Sequence, residues 1–238
     1  MLDNLELLDT SRVARETMES MRDGILNFPG VRWVLCGAKG IVRSIASTPR
    51  FHGVLAEPMF LRPLTSDEVS NVIGRRIEEY RIDETTYAPV DSEGFKHIYE
   101  VGNSNLRTAL KYCEDFVFWS KRTKQRPVEA AEKSQLLETW FAAVADDYMN
   151  DTAGIGKRAW EVFDGIVDRG GSLSPSDYGE FEFDSAQAMR PHLRNLEQAN
   201  LIDSSIDETD NRRKTITLTP RGWIVRYQRC NYVLPVAS

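Results

Sequence analysis

The sequence predicts a mainly α protein with a small α/β portion near its N-terminal end and a helix-turn-helix followed by a β-hairpin at its C-terminal end. Three observations predict it. Apolar residues recur at helical spacing through most of the chain, a β-rich run at residues 31–36 follows a helix, and the alternating residues Thr215-Ile216-Thr217-Leu218 come after three short helical segments. At 238 residues the chain exceeds the usual size of one compact domain, so two or three cores are expected.

The first residues, Met1-Leu2-Asp3-Asn4-Leu5-Glu6-Leu7-Leu8, read as the end of a buried strand running into a loop. From Ser11, the residues Val13, Met18, Met21 and Ile25 keep helical spacing, with Thr10 or Ser11 as N-cap and Pro29-Gly30 as the stop. Residues 31–36 then predict a strand ending at Gly37, and helix followed by strand implies an α/β layer. A short helix is expected around residues 41–46, and residues 54–61 offer one more strand before Pro63.

Thr65-Ser66-Asp67-Glu68 is a capping box in which the threonine serves the glutamate's backbone and the glutamate serves the threonine's. The helix it opens has Val69, Val72, Ile73, Ile77 and Tyr80 as its apolar stripe and Arg75, Arg76, Glu78 and Glu79 as its solvated face. Two more helices are expected, one over residues 92–101 ended by Gly102, the other over residues 105–119 with Leu106, Leu110, Cys113 and Val117 on one face. The polar residues 120–127, carrying Lys121, Arg122, Lys124 and Arg126, read as a linker to a long helix with Leu137, Trp140, Val144 and Tyr148. The expected division is therefore 1–63, 64–127, a connecting helix at 128–151, and 152–229.

In the last of these, a helix over residues 156–169 is closed by Gly170-Gly171, and Ser174-Pro175 opens a second with proline at the favoured first position. Asp184 or Ser185 caps a third, in which Met189, Leu193 and Leu196 face inward while Gln187, Arg190, Pro191 and Arg194 lie opposite. Leu201-Ile202 starts a strand, residues 207–211 turn, residues 215–218 return, and Thr219-Pro220-Arg221-Gly222 opens a final helix.

The run Leu193-x-x-Leu196, then Leu201-Ile202, then Leu218-Thr219-Pro220-Arg221-Gly222 resembles winged-helix proteins, including the MarR-like regulators. That resemblance implies a third helix in the major groove, with Gln187, Arg190 and Arg194 at bases, and a wing on the backbone, with Arg212, Arg213 and Lys214 at phosphates. Residues 151–238 carry 11 Lys and Arg against 13 Asp and Glu, and Asp207, Glu208 and Asp210 stand beside the basic cluster of the wing. Winged helices also serve as protein-interaction modules, so DNA and a protein partner both remain open for this end of the chain.

The order of features in residues 1–127 resembles the second half of an AAA+ or STAND-type P-loop ATPase, including the origin-recognition class. Leu2-Asp3-Asn4-Leu5-Glu6 resembles a Walker B segment, which implies Asp3 as the ligand of a Mg²⁺ ion bridging ATP phosphates. The next position, where relatives often carry a second acidic residue to polarise water, is Asn4, and Glu6 is the nearest carboxylate. Trp33-Val34-Leu35-Cys36-Gly37-Ala38 resembles the sensor 1 strand, with Cys36 at the γ-phosphate position. Ser47-Thr48-Pro49-Arg50-Phe51 resembles the segment carrying an arginine finger, which implies Arg50 acting on a neighbouring subunit of a homo-oligomer; a plain surface arginine is the other reading.

Pro63-Leu64-Thr65 resembles the entry to the helical lid, and Gly102-Asn103-Ser104-Asn105-Leu106-Arg107 is similar to sensor 2, one residue off its usual spacing, which implies Arg107 as a phosphate contact. A phosphate-binding loop is missing: neither Gly37-Ala38-Lys39-Gly40 nor Gly154-Ile155-Gly156-Lys157-Arg158 has the required glycines, lysine and hydroxyl. The chain is thus expected to be the C-terminal part of a longer ATPase, a truncated P-loop core followed by a helical lid and a C-terminal winged helix-turn-helix. ATP and Mg²⁺ would bind the full-length protein, and this chain alone is expected not to hydrolyse ATP.

Composition narrows the remaining classes. A net charge of −6 gives no global positive field, so any DNA contact must be local. No apolar run approaches a membrane span and the acidic start lacks a signal-peptide pattern, so a cytoplasmic protein is expected. Cys36, Cys113 and Cys230 and His52, His97 and His192 are scattered without metal-ligand spacing. A metabolic enzyme finds no nucleophile or carboxylate pair to support it. A winged-helix regulator or interaction scaffold without nucleotide chemistry is the alternative to the ATPase.

Overall fold

The computed structural model describes residues 2, 3, 5, 11–37, 39–83, 87–206 and 214–232. It is mainly helical with one small three-stranded sheet, and the chain divides into two compact units. One comprises Met1–Arg62 and Ser205–Thr215, the other Pro63–Ser204 and Ile216–Ser238. Among the described residues no helix is long and apolar enough to cross a membrane.

In the first unit, α1 (Ser11–Met21) packs on α2 (Lys39–Ala46) through Ala14, Met18, Ile41 and Ile45, with Leu5 and Phe51 in the same core. The expected N-cap of α1, Thr10 or Ser11, lies outside the described side chains. The helix does not continue as α to Pro29; residues Arg22–Leu26 form a π-helical turn. The extra residue in a π turn rotates the stripe forward. Leu26 is consequently buried, and Ile25, expected on the apolar stripe, is 41% exposed.

Neither strand expected in this unit forms. Residues 31–36 make a single parallel bridge, Leu2 to Leu35, in which the Leu2 N–H donates to the Val34 carbonyl at 2.9 Å and the Cys36 N–H to the Leu2 carbonyl at 2.8 Å. Residues 54–61 contain no strand either, and Met59, Phe60 and Leu61 are exposed. β-Rich composition reports a fit to a pleated, half-buried surface. Among the described residues that surface is missing, and Val31 and Val34 are left exposed. Among the described residues the α/β portion is thus a helix pair with two isolated parallel bridges, Leu2 to Leu35 and His52 to Leu55.

The second unit begins with α3 (Ser66–Tyr80), opened by the predicted capping box: Glu68 N–H donates to Thr65 Oγ1 and Thr65 N–H to the Glu68 carboxylate at 2.8 Å. Helix α4 (Ser92–Val101) is capped by Asp91 and ends at Gly102, and α5 (Leu106–Arg122) is capped by Asn105. Two readings of α5 need correcting. Its core face is Ala109, Tyr112 and Phe116, whereas Leu106, Leu110, Cys113 and Val117 lie at the margin. Ser120, Lys121 and Arg122 are its last turn and not a linker, and Ser120 is buried with its hydroxyl donating to the Gln125 carbonyl at 2.7 Å. Tyr80, expected on the stripe of α3, is 75% exposed.

Helix α6 (Ala130–Asn150) sends Leu137, Trp140, Phe141 and Ala145 into the same core as α4 and α5. Phe141 meets Trp140 at 4.8 Å and Tyr227 at 5.4 Å between ring centroids, contacts worth about 0.5 to 1.5 kcal/mol each beyond area burial.

A second core follows. Helix α7 (Lys157–Asp168), β1 (Ser172–Leu173), a 3-10 helix at Pro175–Phe181, α8 (Ala186–Gln198), β2 (Ile202–Ile206), β3 (Lys214–Leu218) and α9 (Pro220–Tyr232) succeed one another. The sheet order is β1-β3-β2, with β1 antiparallel to β3. Proline opens the 3-10 helix as predicted, with Ser174 and Asp177 forming a capping box. Helix α8 closes on Asn200 in the left-handed region, the Leu201 N–H donating to the Leu196 carbonyl at 3.0 Å. Met189, Leu193 and Leu196 pack with Phe163, Ile166, Leu201 and Ile216.

Gly222, in the first turn of α9, lies against the carbonyl of Leu201, and an added methyl group there would collide with that backbone atom. Gly222→Ala is expected to lower stability in urea unfolding by about 1 to 3 kcal/mol, while Gly74→Ala, in open space within α3, is expected to raise it by about 0.5 to 1 kcal/mol. Burial pushes the Cys113 thiol from its ordinary 9.0 up to about 12 and raises the Tyr112 phenol as well. Above pH 9 the unfolded chain therefore loses protons that the folded chain keeps, and stability should fall as pH rises toward 12. Urea midpoints measured from pH 8 to pH 10.5 check this, and Cys113→Ala should flatten the first part of the fall.

Candidate nucleic-acid interface

The third helix of the C-terminal core owes its position to three features. Ser185 caps it, its Oγ accepting from the Ala188 N–H at 3.2 Å; the 3-10 helix before it is short; and its inward residues recur at helical spacing in the core. Gln187, Arg190 and Arg194 are left exposed at i, i+3 and i+7, on one face. Pro191 lies inside the helix and has no N–H, so the Gln187 carbonyl receives no bond from position i+4 and is a further acceptor on that stretch.

The cations of this region fall into two groups. Arg158 donates to Glu161 at 2.7 Å and to the Phe181 carbonyl at 2.6 Å, and Arg169 to Glu180 at 2.6 Å, so both hold the 3-10 segment against α7. Arg221 donates to Asp151 at 2.8 Å and to the Tyr148 carbonyl at 3.1 Å, Arg229 to Asp164 at 2.8 Å, and the Arg226 guanidinium lies over the Trp223 ring. Arg190 and Arg194 have no ion pair among the described residues. Lys214 opens β3 and is exposed, and Arg212 and Arg213 lie outside the described residues. The exposed Glu182 and Asp184 stand before α8 and limit the positive potential at its N-terminus.

The residues assigned to nucleotide are spread over both units. The parallel bridge sets Asp3, which is exposed, one position beyond Leu2, beside the half-buried Cys36 one position beyond Leu35. Glu6 lies outside the described residues. Arg50 donates to Glu19 of α1 at 3.2 Å. Arg107 is exposed in the first turn of α5, just after Asn103 and Ser104, both at left-handed φ of 53° and 57°. Mg²⁺ is commonly held by one or two carboxylates plus substrate phosphates, and phosphates need a cradle of backbone N–H groups or cations. Asp3, Cys36 and Arg50 belong to the first unit and Arg107 to the second, and no catalytic step follows from them.

The inventory of binding residues read from the sequence lacks one surface, the margin of α5. Leu110, Cys113 and Val117, expected on one face of the helix, line an open groove with Tyr80 and Phe118. The signal was a second apolar stripe on the same helix beside Ala109, Tyr112 and Phe116.

If Arg190 and Arg194 carry no structural load, replacing both by Ala should change stability by no more than about 0.5 kcal/mol. Arg221→Ala should cost about 1 to 2 kcal/mol, because it removes a charge-assisted bond and a ring contact to Tyr148 from a largely buried side chain. Thermal unfolding of the variants measures both.

No family model matches the chain, and no curated protein and no solved structure matches it.

Proposed function

We propose that this chain is the C-terminal, DNA-binding part of a regulatory ATPase, and that its last domain is a winged helix-turn-helix using α8 to read duplex DNA. The observation that carries the reading is the free face of α8. Gln187, Arg190 and Arg194 are exposed together on the helix that follows the turn, and the two arginines lack acidic partners among the described residues. Arginine and glutamine there have the donor geometry that base edges and phosphates accept. The sheet order β1-β3-β2 behind three helical segments supports the winged-helix assignment. In that arrangement Lys214, with Arg212 and Arg213, belongs to the wing and takes phosphates.

The ATPase part of the reading rests on the order of elements and on the parallel bridge, which sets Asp3 beside Cys36 as neighbouring Walker B and sensor 1 strands would require. When bound in the complete protein, ATP with Mg²⁺ would supply the phosphoryl group that is hydrolysed. By the resemblance, this chain's share in the first unit would be Asp3 toward the metal. Mant-ATP should not bind this chain alone, and tight binding would overturn the nucleotide assignment.

The DNA assignment is tested by fluorescence anisotropy with a labelled random-sequence duplex of about 20 base pairs. Binding should weaken linearly with the logarithm of salt concentration, and Arg190→Ala with Arg194→Ala should reduce affinity at least tenfold and lower the salt slope by about 2. A duplex that does not bind at low salt, or binds the double variant equally well, would sink the DNA assignment and leave a protein-contact role for α8.

A further inference from the structure

An open groove of about 750 Å³ runs along the second unit between the C-terminal half of α3 and the outer side of α5. Its floor is Ile77, Leu110, Cys113 and Val117, and its lips are Tyr80 and Phe118, which are 75% and 61% exposed. Large aromatic residues at the lips of an apolar trough are an exposed hydrophobic patch of the kind that marks interaction surfaces.

The charges around it are lopsided. Arg76, Arg81 and Lys121 line the groove. Arg81 and Lys121 have no carboxylate partner among the described residues, and Arg76 lies 5.8 Å from the centroid of the Tyr80 ring. The acidic side chain in the lining, Glu114, is already held by Lys111 at 3.0 Å. Tyr87 closes one wall, with Arg126 and Lys133 at 4.8 and 5.5 Å from its ring centre. An apolar floor rejects nucleic acid phosphates, and a rim of free cations selects for carboxylates. The stretch of α5 from Leu110 to Lys121 is about 17 Å long at the helical rise, the length of a three-turn helix.

We propose that this groove docks an acidic amphipathic helix of a partner protein. Its apolar residues at i, i+3 or i+4 and i+7 lie on Leu110, Cys113 and Val117, and its flanking Asp or Glu side chains meet Arg81 and Lys121. The groove would thus give the chain a protein partner separate from the DNA face on α8.

The test starts from a display library of 14-residue amphipathic helical peptides with randomised charged positions, selected on the full chain. Enriched peptides should carry Asp and Glu over Lys and Arg at the flanks and bind with micromolar affinity by anisotropy. Tyr80→Ala with Phe118→Ala, both at exposed positions that leave the core intact, should weaken the selected peptide at least tenfold. Arg81→Glu with Lys121→Glu should reverse the preference toward basic peptides, and the Arg190 and Arg194 variants should leave peptide binding unchanged. Failure to enrich any peptide, enrichment without acidic bias, or binding that persists in the Tyr80 and Phe118 variant would overturn the proposal. So would a concentration-dependent dimer in sedimentation that the same variant dissolves, since the occupant would then be a second copy of this chain.

Discussion

The Tyr112 hydroxyl donates to the Pro220 carbonyl at 2.5 Å and so fixes the first turn of α9 to α5. From that point α9 serves two hydrophobic cores. Ile224 and Tyr227 enter the core built from α3 to α6, while Trp223 and Val225 enter the core of α7, α8 and the sheet. Consecutive residues of a helix point in directions about 100° apart, so a helix placed between two apolar masses can feed both only if it is apolar around most of its circumference. Residues 222–225 are buried without a break, as that requires. The position of α8, and with it the direction in which Arg190 and Arg194 project, depends on this shared helix.

Polar bonds then set the register that apolar contacts alone would leave loose. Tyr227 donates to Glu138 at 2.7 Å, His97 Nε2 lies 2.8 Å from the other oxygen of that carboxylate, and Arg221 and Arg229 reach Asp151 and Asp164. Half-exposed pairs of this kind contribute little net stability, about 0 to 1 kcal/mol each, but they are directional and distinguish one rotation of α9 from the next. The same pairings explain the charge distribution. An acidic chain uses its carboxylates to neutralise the arginines that hold elements together, and the arginines on α8 are left without an ion pair among the described residues.

Much of this was legible in the sequence where the signal was local. The capping box at Thr65, the stop at Gly102, the proline after Ser174 and the inward triplet Met189, Leu193 and Leu196 each act within a turn or two, and each element stands where its signal placed it. The misreadings arose where a distant partner decides. Residues 31–36 have strand composition but, among the described residues, only the bridge to Leu2, and the π turn after Met21 exchanged Ile25 for Leu26 through one extra residue. On α5 two apolar stripes compete, and which of them is covered depends on Trp140 and Phe141, more than 20 positions away in the chain. Of the candidate interface, the exposure of Gln187, Arg190 and Arg194 followed from periodicity; that the two arginines have no acidic partner among the described residues did not, because it depends on how Asp151, Glu161, Asp164 and Glu180 are used elsewhere.

The shared helix has a mechanical consequence. Close-packed interiors transmit displacement because they have no free volume in which to absorb it. Helix α9 packs along α6, and the C-terminal end of α6 also contributes to both cores through Tyr148. Two helices therefore cross between the bundle and the C-terminal core, joined by the Arg221 bonds to Asp151 and the Tyr148 carbonyl. A swivel between the two cores would have to break those bonds and uncover Ile224 or Trp223. A rotation of the bundle that carries α9 with it preserves them all and turns α8 by the same angle. A displacement of α3 to α6 is for that reason carried to α8, and with it to Gln187, Arg190 and Arg194.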